Sequence, residues 1–227
     1  MRYAIYFMPE EKSALWEAGS SILGYDAVCG KDRPFPAHPA LAGRPLADWT
    51  AEPRRYGFHA TLKAPFALRD GATEAGLLAA AREFASRQMA FTLPSLKVAA
   101  LGRFIALIPA DDSEPLQALA DACVVDFDPF RAPMTAADRA LRLAQPLGER
   151  LAAQLDRWGY PYVFDDFTFH MTLSGPLEAE HRALFLAALR DIYARIAAPL
   201  RIDAVAVFQQ ADADARFTVL ERCAFGR

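Results

Sequence analysis

The sequence predicts an α+β fold with antiparallel sheet, built as a duplicated chain. Three observations predict it. Strand-like and helix-like segments alternate, but the strands come in hairpin-like pairs, which favours antiparallel sheet over a doubly wound parallel one. The order strand, helix, two strands occurs after residue 56 and again after residue 166. An eight-residue pattern, F-H-x-T-L-x-x-P, starts at Phe58 and again at Phe169, 111 positions later in a chain of 227. Self-similarity at that distance marks an internal repeat, with each half supplying one motif segment.

The elements follow in order. Residues 2–8 (RYAIYFM) are β-branched and aromatic and end at Pro9, so they read as a strand. Residues 10–23 carry Leu15, Trp16, Gly19 and Ile22 at helical spacing, with Gly24 as a stop. Pro34, Pro36, Pro39, Pro45 and Pro53 make 30–55 irregular, either a lid or binding loop or a solvated connector. Residues 56–63 (YGFHATLK) read as a strand stopped by Pro65. A helix spans 73–88 with Thr73 as its N-cap, followed by strands at 90–93, 96–101 and 103–109 that turn near Gly102. Residues 113–125 are helical, the loop FDPFRAPM follows, and helices come at 135–143 and 146–157 before Trp158-Gly159-Tyr160-Pro161 breaks the pattern. A strand at 166–174 stops at Gly175-Pro176, a helix covers 178–196, and strands at 199–209 and 215–224 close the chain.

Composition narrows the function. Apolar residues make up 53% and charged residues 23%, the balance of a soluble globular protein, which excludes disordered and collagen-like classes. The net charge is −3, without a Lys/Arg block. That argues against holding duplex DNA by its backbone, while a small phosphate-containing substrate or a short RNA end needs only a few local cations. Cys29, Cys123 and Cys223 are far apart and form no C-x-x-C, so neither a disulfide framework nor a structural zinc site is expected. No apolar run reaches the ~18 residues of a membrane span, and MRYAIYFMP does not read as a signal peptide, so the expected location is the cytoplasm.

The repeated motif carries the chemistry. In a strand, residues i and i+2 share a face, so His59 emerges with Thr61 and His170 with Thr172. Phe58, Ala60 and Leu62, and likewise Phe169, Met171 and Leu173, turn to the other face and pack. Two such mounts facing one another would enclose one anion. Phosphoryl transfer needs a base on the attacking oxygen and an acid on the leaving oxygen, and two imidazoles can supply both near neutral pH. The two hydroxyls can donate to the non-bridging oxygens.

With these residues the chain resembles the 2H phosphoesterase superfamily, which includes the LigT-like RNA 2′,3′-cyclic phosphodiesterases. RYAIYF, YGFHATLKAPF and WGYPYVF…FTFHMTLSG resemble a branch associated with bacterial phosphonate-utilisation operons. The resemblance runs from Arg2 to about Phe225. It implies one bilobal domain over 1–227, with two antiparallel sheets facing a central cleft, helices outside, and the motifs at 58–65 and 169–176. It also implies hydrolysis of a small cyclic phosphate by His59 and His170 without metal or cofactor. The rival reading is a nucleotide- or RNA-binding or assembly protein that uses the same cleft without turnover.

Three further residues are candidates. Tyr56 either stacks on a base or donates to phosphate, or is a half-buried strand aromatic. Lys63 shares the face of His59 by period 2, so its ammonium either reaches the phosphate or ends a solvated strand. Arg131, in the FDPFRAPM loop, is either a forked phosphate clamp or an interdomain ion pair. Tyr3 and Tyr6 alternate with apolar residues on the first strand and read as core packing, against a strand face that borders the cleft. His38 and His181 have no partner motif, and Asp165-Asp166 reads as a turn. No Walker loop, G-x-G-x-x-G, G-x-S-x-G or H-E-x-x-H occurs.

Overall fold

The first strand, β1 (Arg2–Phe7), is buried along nearly its whole length, as a central strand must be. The computed structural model describes residues 1–142 and 147–226, with side chains left out at 141 and 142. Helix α1 (Ala14–Leu23) is capped by the Ser13 side chain and ends at Gly24 in the left-handed conformation, as the glycine stop predicts. The proline-rich stretch is not a free loop. It forms the small hairpin β2 (Tyr25–Asp26) and β3 (Lys31–Asp32), a 3₁₀ turn at Pro39–Leu41, and the single-turn helices α2 (Leu46–Trp49) and α3 (Ala51–Arg54). Leu41, Leu46 and Trp49 are buried, and the Trp49 carbonyl accepts from the Gly175 amide at 2.8 Å. Burial of apolar residues at its turns pins the segment and takes the place of both the lid and the solvated connector.

The first motif leads into β4 (Ala60–Phe66). This strand runs through Pro65 rather than stopping before it. The β1–β4 register shifts on both sides of Ile5, so Pro65 sits where the ladder is already irregular and its missing N–H costs no bond. Helix α4 (Glu74–Ser86) is capped by Thr73 as expected. Strands β5 (Phe91–Leu93), β6 (Leu96–Leu101) and β7 (Phe104–Pro109) follow, then helices α5 (Glu114–Asp126), α6 (Ala136–Arg142) and α7 (Glu149–Trp158). The predicted break between 135–143 and 146–157 falls on residues 143–146, outside the described residues. The second motif strand, β8 (Met171–Thr172), is far shorter than the predicted 166–174: a 3₁₀ turn ends at Asp166, residues 167–170 pair with no strand, and the Leu173 and Ser174 amides both donate to the Ile105 carbonyl. Helix α8 (Ala179–Ala194) and strands β9 (Leu200–Ile202), β10 (Ala204–Gln210) and β11 (Thr218–Ala224) complete the chain.

The fold is α+β with antiparallel sheet, as the sequence predicts. Its main sheet has seven strands in the order β11-β10-β1-β4-β8-β7-β6. Strands β11-β10-β1-β4 and β8-β7-β6 are joined through the β4–β8 pair into one sheet, so both motifs lie at the same junction. The sheet interleaves the sequence: β7, which follows the first motif, pairs with β8 of the second, while β10 from the end of the chain pairs with β1. Helix α4 packs on β10 and β11, α8 on β6 and β7, and α5 on β4. No helix among the described residues is long and apolar enough to cross a membrane.

Candidate active site

The junction sets the site. Ala60 of β4 stands opposite Met171 of β8 in antiparallel register. Continued by one residue each way, this register sets His59 opposite Thr172 and Thr61 opposite His170. Ala60 and Met171 are both fully buried, so the four polar side chains share the other face. Cross-strand neighbours on one face lie about 4.5–5.5 Å apart. Phe58, Leu62, Phe169 and Leu173 are buried as the motif predicts. Phe58 depends on a gap: a Cβ on Gly19 of α1 would lie 2.2 Å from its ring.

The two imidazoles are held alike. Nδ1 of His59 is 2.9 Å from the Gly57 carbonyl, and Nδ1 of His170 is 2.7 Å from the Thr168 carbonyl. A carbonyl only accepts, so each Nδ1 carries a proton and each Nε2 presents a lone pair in the neutral ring. Nε2 of His59 lies 3.3 Å from Thr61 Oγ1, so that hydroxyl can donate to it. Gly57 adopts a left-handed φ of +76°, and a Cβ there would meet Ala27 at 2.6 Å, so glycine is needed to aim the carbonyl.

The rings differ in surroundings. His59 stacks on Tyr6 at 3.8 Å between centroids and 24° between planes, with Phe208 and Tyr56 each at 6.1 Å. Burial pushes its pKa down to about 4, the Gly57 carbonyl pulls it up, and the charge of nearby His170 lowers it further. His170 is also lowered by burial, against the pull of the Thr168 carbonyl, and its ring faces Phe104 at 5.8 Å. His59 and Thr172 line a cavity of about 580 Å³, and Thr61 and His170 line one of about 480 Å³; Phe104 borders both.

The other candidates fall out differently. Tyr56 borders the His59 cavity, stacked on Phe217 at 5.3 Å. Lys63 borders the His170 cavity but is buried, and its ammonium donates to the Val124 carbonyl at 2.8 Å and to Asp128 at 3.2 Å. Burial holds its pKa down at about 8, while Asp128 pulls it up. Lys63 therefore does not end a solvated strand: its ammonium is spent on the end of α5. Arg131 is turned away from both cavities, donating to Asp128 at 2.9 Å and to the Arg157 carbonyl at 2.9 Å. Of the two readings of Arg131, the ion pair is the one found and not the phosphate clamp: it braces Asp128, which also accepts from Lys63 and, at 3.0 Å, from Arg157. Burial raises the Asp128 pKa, but the Arg131 bond and the Lys63 charge outweigh it and hold the carboxyl low. His38 and His181 lie elsewhere, beside Asp191 and Trp49.

Tyr6 is both things the sequence allowed: it is core, and its register opposite Thr61 puts it on the motif face, where it stacks under His59. The aromatic run from Trp158 to Phe167 lines the His170 cavity; the sequence marks Trp158–Pro161 as a helix break, puts Phe167 in a strand and gives neither a place in the site. Among the described residues, no group of three or more His, Cys, Asp or Glu side chains is arranged to hold a metal ion.

Comparison with known proteins adds the following. The chain is similar to a protein named ribose 1,5-bisphosphate phosphokinase PhnN from Janthinobacterium sp. (strain Marseille), 39% identical over 229 residues that take in 99% of this chain and 51% of that one. A protein of the same name from Laribacter hongkongensis (strain HLHK9) is 39% identical over 178 residues, 78% of this chain and 41% of that one. The chain thus spans about half the length of the curated relatives it matches. Among solved structures it is similar to TT0787 of Thermus thermophilus (TM-score 0.47, 17% identity, all of both chains) and to E. coli LigT complexed with 3′-AMP (TM-score 0.43, 14% identity, 100% of this chain and 98% of that one). The family model described as "Protein of unknown function (DUF1045)" matches residues 61–218, from the threonine of the first motif past the whole of the second, and the chain belongs to that family.

Proposed function

We propose that the chain is a phosphodiesterase that hydrolyses a cyclic phosphate on a ribose ring, with His59 and His170 as base and acid and no metal ion. The supporting observation is the Ala60–Met171 register, which brings two His–Thr pairs to one face, each imidazole fixed through Nδ1. His59 takes the base role because its stacked, buried ring is the one that stays neutral well below neutral pH; Nε2 then takes a proton from water once the Thr61 hydroxyl turns from it to the phosphate. The water oxygen bonds to phosphorus, the bond from phosphorus to one sugar oxygen breaks, and protonated His170 gives its Nε2 proton to that oxygen. The product is a ribose phosphomonoester, and solvent resets both rings. Thr61 and Thr172 donate to the non-bridging oxygens as charge builds on them.

The phosphokinase name of the relatives belongs, on this reading, to the part of those proteins that this chain does not span. This chain carries no Walker-type phosphate loop. A phosphodiesterase that releases a ribose phosphate would make a fitting companion to an enzyme that phosphorylates one.

The test is a panel of 2′,3′-cyclic nucleotides and ribose cyclic phosphates incubated with excess chelator, with ³¹P NMR reading the diester-to-monoester change. Turnover of at least one member is expected. No turnover of any at stoichiometric enzyme would overturn the reading.

A further inference from the structure

We propose that Tyr6 is a positioning residue that assigns the two histidines their roles, making His59 the base and leaving His170 the acid; this rests on the phosphodiesterase reading for the reaction they share. The two mounts are alike in everything the motif specifies. Each carries one imidazole and one hydroxyl, and each imidazole is held through Nδ1 by the carbonyl two residues before it. Nothing in the motif itself says which ring takes a proton and which gives one.

The neighbouring strands break the tie. β1 lies beside β4 as β7 lies beside β8, and both pairs are antiparallel. In the first pair Tyr6 stands opposite Thr61; in the second Ala106 stands opposite Thr172. These two positions are equivalent in the repeat, and both are buried. Tyr6 lays its ring on that of His59 at 3.8 Å between centroids and 24° between planes. The matching position in the second half offers only a methyl group. Among the described residues, the ring that His170 meets is Phe104, 5.8 Å away and tilted by 52°. Tyr6 cannot easily turn aside, being packed against Phe208 at 4.9 Å and Phe217 at 6.1 Å.

A stacked ring acts on an imidazole in two opposed ways. It closes one face to water, which disfavours the charged form, and its π-cloud attracts a cation, which favours it. For His59 the loss of water wins: burial is the first cause of its lowered pKa, the His170 charge adds to it, and the Gly57 carbonyl opposes. The other titratable groups that face this ring or line its cavity are Tyr6, Tyr56 and Glu52. Burial holds the Tyr6 hydroxyl well above the ordinary 10, against the pull of the Arg2 charge, so Tyr6 stays neutral while His59 titrates.

Proton NMR titration of the whole chain tests this without any turnover, with the ring signals assigned through His59→Gln and His170→Gln and with His38 and His181 as internal references. In the wild type, His59 should titrate about 1 pH unit or more below His170. Tyr6→Leu should raise the His59 midpoint by about 1 pH unit or more and leave His170 in place, because water reaches the uncovered face. Tyr6→Phe keeps the ring and should move neither. On a cyclic phosphate that is turned over, the acid limb of kcat/KM should move with the His59 midpoint in Tyr6→Leu and stay put in Tyr6→Phe. Circular dichroism checks the fold, and Tyr6→Met, whose flexible side chain fills irregular gaps, serves if Tyr6→Leu does not fold. The wild-type order of the two midpoints needs no variant of Tyr6. His59 titrating at or above His170 in the wild type would overturn the proposal. So would a His59 midpoint that stays or falls in a folded variant lacking the ring. A ring-dependent midpoint without turnover of any cyclic phosphate would keep the hold of Tyr6 on His59 and sink hydrolysis, whereas turnover with a ring-independent midpoint would do the reverse.

Discussion

Two backbone carbonyls, of Gly57 and Thr168, decide what the histidines can do. By accepting from Nδ1 they leave Nε2 as the reacting atom on both rings, so each imidazole can act at a single position. His59→Ala and His170→Ala should each lower kcat/KM by about 10²- to 10⁴-fold with the melting temperature little changed. Thr61→Val and Thr172→Val should each cost about 1.5–3 kcal/mol of transition-state stabilisation, the value of a hydrogen bond to a charged group, read as kcat/KM on the best cyclic phosphate. The pH profile has a definite side. The base must be neutral, and His59 protonates only near pH 4. The acid must be protonated, and His170 loses its proton below the ordinary 6.5. The profile of kcat/KM should therefore be a bell with its maximum on the acid side, between about pH 4 and 6.5. A plateau from pH 7 to 9 would refute the assignment. Sequence alone pointed to a bell near neutrality, because it cannot report how deeply a ring is buried.

At the scale of elements, the motif strands work because other elements make room for them. The first depends on α1, where Gly19 admits the Phe58 ring. Gly19→Ala should destabilise the protein by about 1–3 kcal/mol through overpacking, seen as a lowered thermal midpoint. It should also reduce activity, because Phe58 precedes His59 and cannot shift alone. The helix boundaries were legible: Gly24 and Thr73 sit at a stop and a start for reasons of backbone conformation and capping that the residue types declare. The ends of β4 and β8 were not. Pro65 could remain in a strand because the register slips beside it, and although Asp165-Asp166 form the turn their residue types suggest, residues 167–170 after it stay out of the strand. Lys63 shows the same limit. Period 2 put it on the motif face, but the slip in β4 and the nearby carboxylate of Asp128 sent its ammonium into a buried pair.

At the scale of the molecule, the chain crosses the β4–β8 junction more than once. β7 pairs with β8 and carries β6 at the sheet edge, while β10 pairs with β1 and carries β11 at the other edge. Neither motif half can complete its sheet from its own stretch of sequence, so a fragment ending before β8 should not yield a folded lobe with half a site. The scale of the molecule also bears on the relatives' name. Incubated with ATP, magnesium and ribose 1,5-bisphosphate, this chain should show no phosphoryl transfer by ³¹P NMR; transfer would place a kinase within these 227 residues and against the reading given above. The sequence by itself determined the fold class, the two His–Thr mounts and their apolar backing, because alternation, proline and glycine act over a few residues and leave a local record. Tertiary structure alone decided that Ala60 meets Met171, that Arg131 braces Asp128, and that the rings from Trp158 to Phe167 wall the cavity beside His170. These are contacts between residues far apart in the chain, chosen by competition among all surfaces at once, and no local pattern encodes which surface wins.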